Sequence, residues 1–71
     1  MVKEIKLNGV EDIKQLNRIA TSYPCDVGIH SQDTIVDAKS LLGLMTLDFS
    51  KPVLCVTEDA YFYNRIKQFL I

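Results

Sequence analysis

Polar and apolar positions alternate from Lys3 to Leu7, with Ile5 and Leu7 on one side and Lys6 and Asn8 on the other. A period of two marks a strand with one buried face. Asn8-Gly9 interrupts it. The period then changes. Ile13, Leu16, Ile19, Ala20 and Tyr23 recur at helical spacing, with Lys14, Gln15, Asn17 and Arg18 between them, which predicts a helix of about three turns. Asn8 is placed to cap that helix, and Glu11 to reach back to the Asn8 amide. Pro24 ends it, because the residue before a proline is pushed out of helical geometry.

Alternation returns at Cys25, Val27 and Ile29, against Asp26, Gly28 and His30, and predicts a second strand. Ser31-Gln32-Asp33 reads as a turn, and Thr34 to Ala38 as a third strand with Val36 and Ala38 inward, so the two strands form a hairpin. Ser40 is a good cap for a short helix running to about Leu47. Asp48 to Pro52 reads as a loop and Val53 to Val56 as a fourth strand. Thr57-Glu58-Asp59 opens a last helix, whose apolar positions are Phe62, Ile66, Phe69 and Leu70.

The order is β-α-β-β-α-β-α. Helices apolar on one side need a sheet to lie on. Four half-exposed strands fit an antiparallel sheet with helices on a single face. The expected class is α+β, an open-faced sandwich of the split βαβ kind.

Composition narrows the function classes. The chain has 71 residues, 48% hydrophobic and 24% charged, which fits one globular domain spanning 1–71 with a small core. A net charge of −1 gives no basic stripe for DNA or RNA. No apolar run approaches the ~18 residues of a membrane span. The start, MVKEIKLNG, lacks the apolar centre of a secretory signal, so the cytoplasm is the expected location. Cys25 and Cys55 have no CxxC spacing and lie in strand-like runs, which reads as two buried small hydrophobes rather than a metal or redox site. A thiol-based function through Cys25 or Cys55 is the alternative. No cofactor is implied.

The densest apolar run is Ala38-Lys39-Ser40-Leu41-Leu42-Gly43-Leu44-Met45. At ~100° per residue, Leu44 and Leu47 share one side of a helix, while Leu41, Leu42 and Met45 fall elsewhere. If the first pair faces the sheet, the other three form an exposed apolar cluster suited to a protein contact. The alternative is that this small chain buries all of them, or covers them in a homodimer.

Asp37 to Leu47 resembles the stretch leading into the second helix of HPr, the histidine-containing phosphocarrier protein of the bacterial sugar phosphotransferase system. The element order is similar to the HPr fold from end to end. The resemblance implies protein partners, phosphotransferase components or regulatory proteins, docking on Leu41, Leu42 and Met45. It makes Ser40 a candidate for regulatory phosphorylation as well as a cap.

The phosphoacceptor motif of that family, usually Gly-Leu-His-Ala-Arg-Pro, meets Gly9-Val10-Glu11-Asp12-Ile13-Lys14 here. Glu11 stands at the histidine, Ile13 at the phosphate-steadying arginine and Lys14 at the proline. A histidine nitrogen is a nucleophile near neutral pH. The amides of a helix start hold the added phosphate, and an arginine adds charge-assisted bonds. Here the nucleophile and the arginine are missing. The expectation is therefore an HPr-like regulatory or protein-binding domain and not an enzyme. Glu11 can be read as a helix-start carboxylate, as a fixed negative charge, or as an acceptor forming an acyl phosphate. His30 is the other candidate acceptor, but it falls on the polar side of its strand.

Overall fold

In a computed structural model, residues 1–71 are all described. The elements are β1 (Val2–Ile5), α1 (Val10–Thr21), β2 (Gly28–Ser31), β3 (Thr34–Asp37), α2 (Leu41–Met45), β4 (Val53–Val56) and α3 (Ala60–Arg65). A 3₁₀ turn, Lys67–Phe69, follows α3. The four strands form one antiparallel sheet in the order β1-β4-β2-β3. Three helices and the 3₁₀ turn complete an α+β open sandwich.

The core lies between sheet and helices. Ile5, Ile29, Val53 and Cys55 come from the sheet, Ile13, Leu16 and Ala20 from α1, Leu44 from α2, and Phe62 and Ile66 from the α3 end. The inward residues are those the alternation and helical spacing single out. Val27 and Ala38 lie just outside their strands yet remain paired, the Ala38 amide donating to the Val27 carbonyl at 2.9 Å.

The start of α1 differs from expectation. Gly9, not Asn8, is the N-cap. Its φ of 115° lies in the left-handed half of backbone space, where side chains are strained and glycine is not. The cap frame therefore moves by one residue. Asp12, not Glu11, reaches back, and its Oδ2 accepts the Asn8 amide proton at 2.9 Å.

Cys25 also departs from its expected place. It is exposed, in the bend between α1 and β2. Strand pairing begins only at Gly28, so the alternation through Cys25 belongs to an irregular segment. Tyr23 lies past the helix, where its ring packs edge-on to Phe62 at 5.3 Å.

The last helix is shorter than its apolar spacing suggests. It ends at Arg65, and Ile66 leaves helical geometry with φ −120°. Leu70 lies outside the helix, opposite Ile5 in an antiparallel bridge. The Lys6 amide donates to the Phe69 carbonyl at 2.8 Å and the Ile71 amide to the Glu4 carbonyl at 3.1 Å. The C-terminal residues thus cover the β1 edge, which would otherwise present unpaired backbone groups. No helix is long and apolar enough to cross a membrane.

Candidate functional site

Two helices frame the surface that the sequence singles out. The Asn17 amide donates to the Ala38 carbonyl at 3.0 Å, joining the middle of α1 to the approach to α2. Lys6 Nζ donates to the Phe49 carbonyl at 3.1 Å, to Leu7 O at 3.2 Å and to Asn8 Oδ1 at 3.3 Å, joining the loop before α1 to the loop after α2. These ties set the helices antiparallel and bring the end of α2 toward the start of α1.

Ser40 caps α2. Its Oγ accepts the Gly43 amide proton at 3.1 Å, and its carbonyl accepts the Leu44 amide at 3.0 Å. Gly43 has a steric role. A Cβ there would stand 3.3 Å from both Ser40 Oγ and Val36 Cβ. The absent side chain lets α2 lie close on β3.

That close seating divides the apolar residues of α2. Leu44 and Leu47 are buried, while Leu41, Leu42 and Met45 are exposed, Leu42 by 84%. Val10, at the first position of α1, is also exposed. The sequence pattern missed Val10, because its spacing from Ile13 suggests an inward residue.

Glu11 is in the first turn of α1 with its side chain 90% exposed. Its one ion pair is a loose contact of 3.9 Å with Lys14. The first amides of α1 have no partner within the helix, and Glu11 and Asp12 supply negative charge beside them. Ile13, which the sequence resemblance sets at the place of an arginine, is fully buried in the core, and its side chain has no polar group.

His30 does not join this site. It belongs to β2 and faces the open side of the sheet, away from the helices. Two grooves cross that side, one past Glu4 and Lys51, the other past Met1 and Cys25, and both include His30. Neither includes Glu11 or any residue of α2.

The thiols differ from each other. Cys55 is buried in β4, and burial pushes its pKa up to about 11, against a smaller lowering by Tyr63. At neutral pH it is a thiol and a poor nucleophile. Cys25 is exposed, its Sγ 3.9 Å from Asp59 Oδ2. No three His, Cys, Asp or Glu side chains come together in a way that could hold a metal ion.

No family model matches the chain, and no curated protein matches it. A solved structure does. The crystal structure of HPr-C-His from Thermoanaerobacter tengcongensis superposes with a TM-score of 0.71, covering 94% of this chain and 81% of that one, at 22% sequence identity. The fold is that of HPr. The β-α-β-β-α-β-α order expected from the sequence is therefore the observed order, and the antiparallel sheet with its helix layer is the observed architecture.

Proposed function

We propose that this chain is an HPr-like protein-binding or regulatory domain of the phosphotransferase type that docks partners but does not carry a phosphoryl group at the start of α1. The observation that carries this reading is the division of α2. Leu41, Leu42 and Met45 stay exposed on a helix that is capped by Ser40 and pressed onto β3 at Gly43. An apolar cluster held outward on a fixed helix favours a protein contact over a place in the core. Met45 supplies a side chain able to adapt to different partners.

Several features weigh against transfer chemistry. The carboxylates of Glu11 and Asp12 repel an anionic phosphoryl donor. Ile13 brings no positive charge. His30 lies on the opposite side of the sheet from the docking surface. Ser40 remains a candidate for regulatory phosphorylation, since its hydroxyl is exposed beside that surface.

The test is a binding comparison with the phosphotransferase components and with the regulatory proteins of the source cell. Met45→Asp and Leu42→Asp should each weaken every specific partner at least about tenfold, because a charge enters an apolar contact. Unchanged binding of all recovered partners by both variants would remove the docking surface from the account.

A further inference from the structure

The exposed apolar residues are not confined to the helices. Val2, Ile35, Leu54 and Ile71 are also exposed, Ile35 and Ile71 by 71% each. Strand register places all four on the open side of the sheet. Glu4 pairs with Leu54, Leu54 with His30, and His30 with Ile35. The bond from the Ile71 amide to the Glu4 carbonyl sets Ile71 opposite Glu4. Cross-strand partners point to the same face, so Ile71, Glu4, Leu54, His30 and Ile35 form one row across the sheet. A second row reads Val2, Val56, Gly28, Asp37.

The first row has a particular symmetry about Leu54. Glu4 is one step to one side and His30 one step to the other, and Ile71 and Ile35 are two steps out. Glu4 and His30 are two strand spacings apart, about 10 Å, and do not bond each other. The chain's one ion pair is Lys14–Glu11, so Glu4 has no cationic partner of its own. The His30 ring lies along its strand over Gly28, where a Cβ would stand 3.5 Å from Nε2.

We propose that this open face is the interface of a weak two-fold dimer of the chain, with Glu4 of each copy bonded to His30 of the other. A two-fold axis parallel to β4 and passing over Leu54 turns the row onto itself in reverse. Glu4 then meets His30 of the second copy, Ile35 meets Ile71 of the second copy, and Leu54 meets its own mate. The carboxylate accepts an imidazole N–H, and two such bonds form by symmetry. In the second row Val2 lies over Gly28 of the second copy and packs on the His30 ring that covers it, and Asp37 falls at the rim. Aligned sheet-on-sheet packing is a standard arrangement for two such faces, and it is isologous as a closed dimer requires. Five strand spacings by four residues give a footprint of about 300 Å². This is well below the ~800 Å² per partner of a stable complex, so the dimer forms only at high concentration.

Sedimentation equilibrium from about 20 μM to about 2 mM reads this directly. The wild-type chain should self-associate towards the upper end. Glu4→Lys should weaken that association at least about tenfold, by setting Lys against His30 of the second copy. Glu4→Lys combined with His30→Glu should restore it, because the pair is then reversed in place. Circular dichroism checks that each variant keeps its fold. If the double variant does not fold, Ile35→Lys decides, and weakened association supports the interface. A monomer at every concentration would overturn the proposal. So would a folded double variant that is not restored, an unchanged Ile35→Lys chain, or association abolished by Met45→Asp and untouched by Glu4→Lys.

Discussion

Ser40 Oγ accepts the Gly43 amide proton at 3.1 Å, and a Cβ on Gly43 would press on that same oxygen at 3.3 Å. Cap and glycine are one device. The cap fixes where α2 begins, and the glycine fixes how closely α2 lies on Val36. Together they decide which leucines of Leu41-Leu42-Gly43-Leu44 are buried.

Ser40→Ala should lower stability by about 1 kcal/mol through loss of the cap. Gly43→Ala should also lower it, although alanine is the better helix former by about 1 kcal/mol. The added methyl meets Val36 Cβ, which belongs to a paired strand and moves little. Thermal unfolding of both variants checks this. A more stable Gly43→Ala chain would mean that α2 has room to lift from the sheet.

Asn17→Ala should cost about 1 kcal/mol and loosen α2 more than α1, because it removes the donor to the Ala38 carbonyl that joins the two. Amide hydrogen exchange should quicken at Leu44 and Met45 while Leu16 stays protected. Equal quickening throughout would show that the bond serves the whole fold and not this junction.

The two thiols should react very differently. At neutral pH an alkylating reagent should modify Cys25 in the folded chain and leave Cys55 untouched. Mass spectrometry after proteolysis distinguishes the sites. Modification of Cys55 at the rate of Cys25 would contradict the burial of β4.

Cys55 also sets a pH dependence. Its folded value of about 11 lies above the ordinary 9.0, so the folded state keeps a proton that the unfolded state releases. This contribution is constant below pH 9 and stability falls as pH rises from about 9 to about 11. Cys55→Ala should lose that part of the alkaline decline, at the expense of lower stability throughout from the buried volume removed. Denaturant unfolding across pH 8 to 11 compares the two chains. An identical alkaline slope in both would assign the decline to other groups, with Tyr63, also raised by its burial, the next to test.

Much of this architecture was legible in the pattern of residues. Ile5, Val53 and Cys55 alternate as their strands do, and Ile13, Leu16 and Ala20 mark the inner face of α1. Ser40 was legible as a cap because a serine side chain can satisfy a first-turn amide only from that position. The start of α1 was not, because the choice between Asn8 and Gly9 rests on a positive φ that no periodicity reports. Cys25 looked like strand because its alternation continues beyond the point where pairing stops. At the end of α3 a tertiary contact overrides the helical spacing. Leu70 has helical spacing, yet pairing with Ile5 at the open β1 edge takes it away from the helix. In the candidate site, angle alone separates Leu44 and Leu47 from Leu41, Leu42 and Met45, but which group faces out is decided by the seating of α2 on β3. The exposure of Val10 could not be read, nor could the row joining Glu4 to His30, which exists only once β4 lies between β1 and β2.

The central claim is that a docking surface persists here without a phosphoacceptor at Glu11. Intact mass measurement after incubation with phosphoenolpyruvate and the first enzyme of the phosphotransferase system tests it most directly. The account predicts an unmodified chain under conditions that phosphorylate an HPr with its histidine. A phosphoryl adduct that forms in high yield, and that disappears in Glu11→Gln or His30→Gln, would contradict it.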